Sequence, residues 1–218
     1  MINKWLKNVR SSLPHKVFCC YLCHDKTATD DLICYQCWDD LLVTDNSYHH
    51  KPGDAIDYSL NLSTYCFPLD RMLLSLKYKE KLMLAETLGK MLASKASQGN
   101  QPLPDCLVPV PLHSSRLIGR GFNQSQEIAR HLGQELHIPI VFREVRRKRR
   151  TAPQFQLKPG ERRKNVKGAF QLSMKAVPKT VAIVDDIVTT GETARELART
   201  LKAAGVDEVG LWTIARAS

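Results

Sequence analysis

No stretch of this chain approaches the roughly 20 apolar residues that a membrane-spanning helix needs. The apolar run Val17 to Cys23 follows Lys4, Lys7, Arg10 and Lys16. It sits at the bottom of the length range for an export signal and has no small-residue cleavage site behind it. The reading predicts a cytoplasmic protein whose association with a membrane is at most indirect. Residues 1–13 place Ile2, Trp5, Leu6, Val9 and Leu13 on one helical face, which is expected to dock on the protein's own body. Aromatic residues are scarce, at 7%. Glycine and proline, 11 of each, are far below the level of a collagen-like or low-complexity chain. No internal repeat is visible, which excludes a solenoid. Negative charge is also in short supply, with 22 acids against 32 Lys and Arg. What remains, 43% hydrophobic and 25% charged over 218 residues, fits one α/β core with a small appendage.

Cysteine is the residue in excess. There are seven, and four are paired as Cys20-x-x-Cys23 and Cys34-x-x-Cys37, ten residues apart. Two short thiolate turns brought together make four sulfurs in a tetrahedron, the coordination of structural zinc. A module of about 40 residues buries too little apolar surface to fold alone, and a bound metal would supply the deficit. Disulfides are the rival, and a cytoplasmic location argues against them. Cys20-Tyr-Leu-Cys23-His24 also fits a c-type haem attachment sequence, but without an export signal. The predicted division is a Cys-rich module over 1–45 and a larger domain over 46–218.

The densest chemistry lies between Thr180 and Thr193. Val181 to Val184 is continuously apolar and β-branched or small, as in a parallel strand covered on both faces. Asp185 and Asp186 follow, then Thr189, Thr190, Gly191, Glu192 and Thr193. Ala194, Leu197, Ala198 and Leu201 then recur at helical spacing, Gly205 closes the helix, and a second strand runs from Val209. In such a βαβ unit a ligand sits beyond the carboxyl end of the strands. Hydroxyls and free N–H groups at a helix start bind phosphate. Two neighbouring acids can accept hydrogen bonds from the vicinal hydroxyls of a ribose. The combination suggests a ribose 5-phosphate. The plainer alternative, Thr and Asp as caps and turn formers, needs one such residue rather than this many.

Elsewhere the pattern alternates helices with short buried strands. Leu69, Met72, Leu73 and Leu76, continued by Leu84, Leu88, Met91 and Leu92, mark helix; Cys106 to Val110 is a strand ending in Pro-Val-Pro; Asn123 caps another helix. Residues 44–54 read as a linker. The fold class is α/β with a mainly parallel sheet flanked by helices.

Charge is concentrated. Residues 141–168 hold eleven Lys or Arg and two acids, so this stretch carries +9 of the chain's +10. Its centre is Arg146, Arg147, Lys148, Arg149 and Arg150. Such a run suits a polyanion, either a pyrophosphate or single-stranded DNA.

The segment from Thr180 resembles the phosphoribosyl-pyrophosphate (PRPP) motif of type I phosphoribosyltransferases. The order of features along the chain further resembles the ComF family, phosphoribosyltransferase-like proteins associated with natural competence and DNA uptake. Besides the Cys pairs and the PRPP motif, the likeness rests on Leu76-Lys77-Tyr78 and on Val108-Pro-Val-Pro-Leu-His113 with Arg116 and Arg120-Gly-Phe-Asn-Gln124. Thr151-x-x-Gln154, Arg162, Asn165 and Gly168-Ala-Phe170 complete it. The resemblance implies a type I phosphoribosyltransferase-like fold with an N-terminal zinc finger. It also implies PRPP binding assisted by magnesium, with Asp185 and Asp186 on the ribose or the metal and residues 189–193 on the 5-phosphate. Arg116 and Arg120 would meet the pyrophosphate, and Arg162 would belong to a closing lid. Relatives that transfer to purines carry an acid where this chain has Thr189, so pentosyl transfer from PRPP and its acceptor stay open. Implied partners are PRPP, single-stranded DNA and, through the zinc module, a competence helicase.

Overall fold

The computed structural model describes residues 18–27, 32–42, 48–49, 53–79, 81–99, 101–149, 165–174 and 176–217. The N-terminal face at 1–13, Arg150 and Arg162 lie outside them. The front piece contains strands β1 (Phe18–Cys19) and β2 (Lys26–Thr27), antiparallel to each other, and helix α1 (Tyr35–Leu41). The main sheet contains β3 (Tyr48–His49), β4 (Tyr58–Thr64), β5 (Cys106–Pro109), β8 (Thr180–Val188) and β9 (Glu208–Arg216), in the order β3-β4-β9-β8-β5. Only β3 is antiparallel; β4, β9, β8 and β5 run parallel. Helices α2 (Leu69–Lys79), α3 (Met83–Gln98), α4 (Ser114–Arg120), α5 (Gln124–Leu136) and α6 (Glu192–Ala203) connect them. A separate hairpin pairs β6 (Val145–Arg147) with β7 (Phe170–Leu172).

The apolar run on β8 is explained by cover on both sides. Ala182 and Val184 enter a core with α2, α3 and α5, while Val181 and Ile183 enter another with α6 and the hairpin residues Val145 and Phe170. This is the two-residue period of a strand buried on both faces. Cys20, Ile33 and Leu41 belong to the first of these cores, so the Cys-rich piece packs on the main body. Gly205, at φ +106, closes α6 with Val206 N donating to Leu201 O at 3.2 Å.

Three features differ from the sequence reading. The helical pattern from Leu69 to Leu92 is two helices rather than one continuous run. Part of the supposed linker, Tyr48–His49, forms an edge strand on β4. And β4 itself is a strand of the main sheet that periodicity did not show. Its Ser59, Asn61 and Ser63 are buried along with Leu60 and Leu62. The polar side of β4 survives burial because it is satisfied: Thr213 Oγ1 on β9 donates to Asn61 Oδ1 at 2.6 Å.

Candidate functional site

The carboxyl end of β8 carries the two acids. Asp185 Oδ1 accepts from Ser125 Oγ on α5 at 2.9 Å and from Asp186 N at 3.0 Å. Asp186 Oδ1 accepts from Ile187 N at 2.8 Å, and Asp186 Oδ2 lies 2.7 Å from Lys77 Nζ at the end of α2. Lys77 and Asp186 are both largely buried, with side-chain exposures of 20% and 11%. Burial first, and the neighbouring Asp186 charge second, push Asp185 up to about 7; the Ser125 hydroxyl and Lys77 oppose the rise. The two acids therefore differ in character: Asp186 is balanced by a cation, and Asp185 is poised to take or release a proton near neutrality.

That shift has a sign that can be checked. An unfolded Asp titrates near ~3.9, so between there and about pH 7 the folded chain holds a proton the unfolded chain has lost. Stability is therefore present at acid pH and falls as pH rises through this window. Asp185→Asn, which never ionises, is expected to raise the melting temperature of the ligand-free protein at pH 8 and change it little at pH 4. Calorimetric melts at the two pH values showing equal shifts would contradict this.

Beyond β8 the chain turns through Thr189, which is exposed, and Thr190, which is half-buried, into Gly191 at φ +74. Gly191 is the N-cap of α6 and offers no side-chain acceptor to the first turn of N–H groups. Only glycine suits the position: the left-handed backbone is strained for other residues, and an added Cβ would sit 3.2 Å from Arg195 Nη1. Arg195 holds the loop in shape by donating through Nη1 to Thr190 O and to Glu192 Oε1, while its Nε pairs with Asp54 Oδ2 at 3.2 Å. Glu192 is thus turned towards Arg195. Thr193 lies in the first turn of the helix.

The basic residues separate into different places. Arg116 and Arg120 lie on α4, just beyond β5, and both are half-buried. Arg120 Nη1 donates to Gln124 Oε1 at 2.7 Å, and its guanidinium stands 5.5 Å from the centre of the Tyr78 ring. Arg146 and Arg147 face opposite sides because they lie in β6: Arg146 is exposed and Arg147 is 9% exposed, while Lys148 and Arg149, beyond the strand, are both exposed. Arg147 lies 5.6 Å from the Phe170 ring. Burial and the charge of Arg116 hold it down at about 10, while Asp185 draws it back up. The hairpin returns to α6, where Gly168 N donates to Glu196 Oε1 at 2.6 Å.

The second constellation is the Cys cluster. The sulfurs of Cys20, Cys23, Cys34 and Cys37 all lie within 4.8 Å of one another, and Cys23 Sγ is 3.7 Å from Cys34 Sγ. A tetrahedral zinc with bonds of about 2.3 Å to sulfur needs edges of about 3.8 Å. The donor set therefore fits a metal ion. Cys20 Sγ accepts from Leu22 N at 3.4 Å and Cys34 N at 3.3 Å. Burial works against the Cys20 thiolate, but backbone N–H groups outweigh it and hold the thiol at about 6. Cys19, Cys66 and Cys106 stand outside the cluster.

Of the residues singled out by sequence, the fold brings Asp185, Asp186, Thr189, Thr190, Gly191, Glu192 and Thr193 to one end of the sheet. Lys77, Ser125, Asp54 and Arg195 were not singled out for this site. Lys77 had a signal in the Leu76-Lys77-Tyr78 segment, and Arg195 lies one helical turn past Gly191. Asp54 and Ser125 had none, since only the folded chain brings them near.

Residues 119–218 match the phosphoribosyl transferase domain family. Competence protein F of Haemophilus influenzae is 34% identical over 174 residues, covering 77% of this chain and 76% of that one. DNA utilization protein YhgH of Escherichia coli K12 is 33% identical over 224 residues, covering 97% and 96%. Adenine phosphoribosyltransferase from Leishmania tarentolae overlaps 76% of this chain and 94% of its own, at 13% identity and a TM-score of 0.37.

Proposed function

This chain belongs to the family of competence protein F and DNA utilization protein YhgH, and from that premise we propose that it binds PRPP and acts on single-stranded DNA in competence or DNA utilisation. The observation that carries the PRPP part is the acid pair at the carboxyl end of β8, followed directly by the glycine-capped start of α6. Asp185 and Asp186 would take the ribose hydroxyls or the magnesium ion that accompanies PRPP. Carboxylate oxygens are the hard donors magnesium prefers. When bound, the ion would neutralise charge on the pyrophosphate leaving group. Thr189, Thr190 and the N–H groups from Gly191 to Thr193 would hold the 5-phosphate. Arg116 and Arg120 would supply positive charge for the pyrophosphate, and Arg162, from the segment between β6 and β7, would close over it. Lys77 Nζ, 2.7 Å from Asp186 Oδ2, places a counter-charge beside the acid pair before ligand arrives. Transfer of phosphoribose would release pyrophosphate through a cationic state at the anomeric carbon.

The four cysteines would hold one zinc ion as a structural centre. No helix among the described residues is long and apolar enough to cross a membrane.

For DNA, the exposed charges are Arg146, Lys148 and Arg149, whereas Arg147 faces inward. Replacing the three exposed residues by Gln is expected to flatten the plot of log affinity against log salt by about 2, at ~0.7 per phosphate on a single strand. PRPP affinity should be nearly unchanged in the same preparation. A salt slope equal to that of the wild type would remove this run from DNA binding, and a collapse of PRPP affinity would assign it to the pyrophosphate instead.

A further inference from the structure

Helix α4 is unusual among the described helices because none of its seven residues is buried. It presents Ile118 at 82% exposure and Leu117 at 42%. Beside it, Tyr78 at the end of α2 is 67% exposed, with the Arg120 guanidinium 5.5 Å from its ring centre. Nothing about core packing requires this arrangement. A large ring left in water and a planar cation placed over it together make a surface that planar, electron-rich rings favour.

The support under this surface is rigid and incomplete in one respect. Arg120 Nη1 donates to Gln124 Oε1 at 2.7 Å, which fixes the guanidinium. Gln124 is only 2% exposed, yet its Nε2 has no hydrogen-bond partner. The next residue, Ser125, holds Asp185, and Lys77, adjacent to Tyr78, holds Asp186. The surface therefore adjoins the acid pair through two covalent neighbours.

We propose that Tyr78 and Arg120, continued by Leu117 and Ile118, form a stacking platform for a base of single-stranded DNA next to the acid pair. The proposal rests on the single-stranded DNA reading above and says where a base, rather than a phosphate, is held. The occupant is chosen by charge: the Arg120 guanidinium stands over the Tyr78 ring and the exposed Lys79 follows it on α2, a combination of ring and cation that suits a strand carrying both bases and phosphates. The platform also separates two kinds of contact within one protein. Bases would lie on α2 and α4, and phosphates on the exposed residues of the β6 hairpin.

The test uses fluorescence anisotropy with two labelled oligomers of about 16 nucleotides, the upper site size of single-strand binders. One is oligothymidylate and the other an abasic deoxyribose-phosphate strand of equal length. Tyr78→Ala is expected to weaken oligothymidylate binding by about tenfold, as for loss of one base–aromatic stack, with the salt slope unchanged. It should leave abasic binding as in the wild type, and Tyr78→Phe should restore oligothymidylate binding. Arg120→Lys, which keeps the charge but loses the plane, should lower oligothymidylate affinity and leave abasic binding as in the wild type. Tyr78 is exposed, so folding is not at stake in these variants. Equal losses on both oligomers, or no loss on either, would overturn the platform while leaving DNA binding intact. A wild-type protein that binds neither oligomer would overturn the single-stranded DNA reading itself. Self-association that Ile118→Asp abolishes in sedimentation, without any change in oligothymidylate affinity, would make this face an interface between copies and overturn the platform.

Discussion

Cys34→Ser is expected to abolish stoichiometric zinc binding and to lower the melting temperature of the whole protein, not of a detachable piece. The metal centre is expected to contribute most of the stability of the front module, since structural zinc sites bind with an apparent ~10–16 kcal/mol. The consequences do not stop at the module. Cys20, Ile33 and Leu41 lie in the same apolar core as Leu69, Leu73, Leu84 and Leu88, with Tyr21 and Trp38 packed against it. Losing the metal would expose that side of α2 and α3. Lys77, which balances Asp186, sits on α2. A weakened PRPP affinity in Cys34→Ser should therefore accompany the loss of stability. Metal analysis by atomic emission together with a calorimetric melt checks this. A metal-free wild-type protein, or a variant with an unchanged melt, would contradict the zinc assignment.

The second large effect is expected from Asp185→Asn combined with Asp186→Asn. Each carboxylate offers charge-assisted hydrogen bonds to a ribose hydroxyl, worth ~1.5–3 kcal/mol, and the amides retain only neutral ones. The pair is expected to cost roughly one to two orders of magnitude in PRPP affinity if the two differences, about 1–1.5 kcal/mol each, add. Asp186→Asn alone should be the more disruptive single change to the unliganded protein, because it leaves the largely buried Lys77 without its counter-charge. Asp185→Asn alone removes a group that burial already pushes towards its neutral form. Isothermal titration of the single and double variants separates these contributions, and PRPP affinity unchanged in the double variant would contradict the acid pair's role.

Much of this site is written in consecutive residues, which is why the sequence reveals it. Asp185 to Thr193 act as one strand end and one helix start, so their order alone places them together. The Cys pairs are legible for a similar reason, since two short turns carry all four sulfurs. Residues brought in from other elements are harder to see. Ser125 reaches Asp185 across 60 residues of chain, and Asp54 reaches Arg195 across 141. Strand β4 escaped notice because its buried Ser and Asn look like surface residues until Thr213 is seen to satisfy Asn61. The arginine run shows the opposite limit. Composition marks it as one block of charge, while the two-residue period of β6 turns Arg147 inward towards Phe170. Whether a charge serves the site or the surface is decided by register, which a count of charges does not contain.

The end of β8 and the start of α6 are expected to bind PRPP. Isothermal titration of the wild-type protein with PRPP in the presence of magnesium tests it most directly. The expected result is saturable binding of one PRPP per chain, strengthened by magnesium and displaced by ribose 5-phosphate together with pyrophosphate. Absence of saturable binding by a folded, zinc-loaded protein would contradict it.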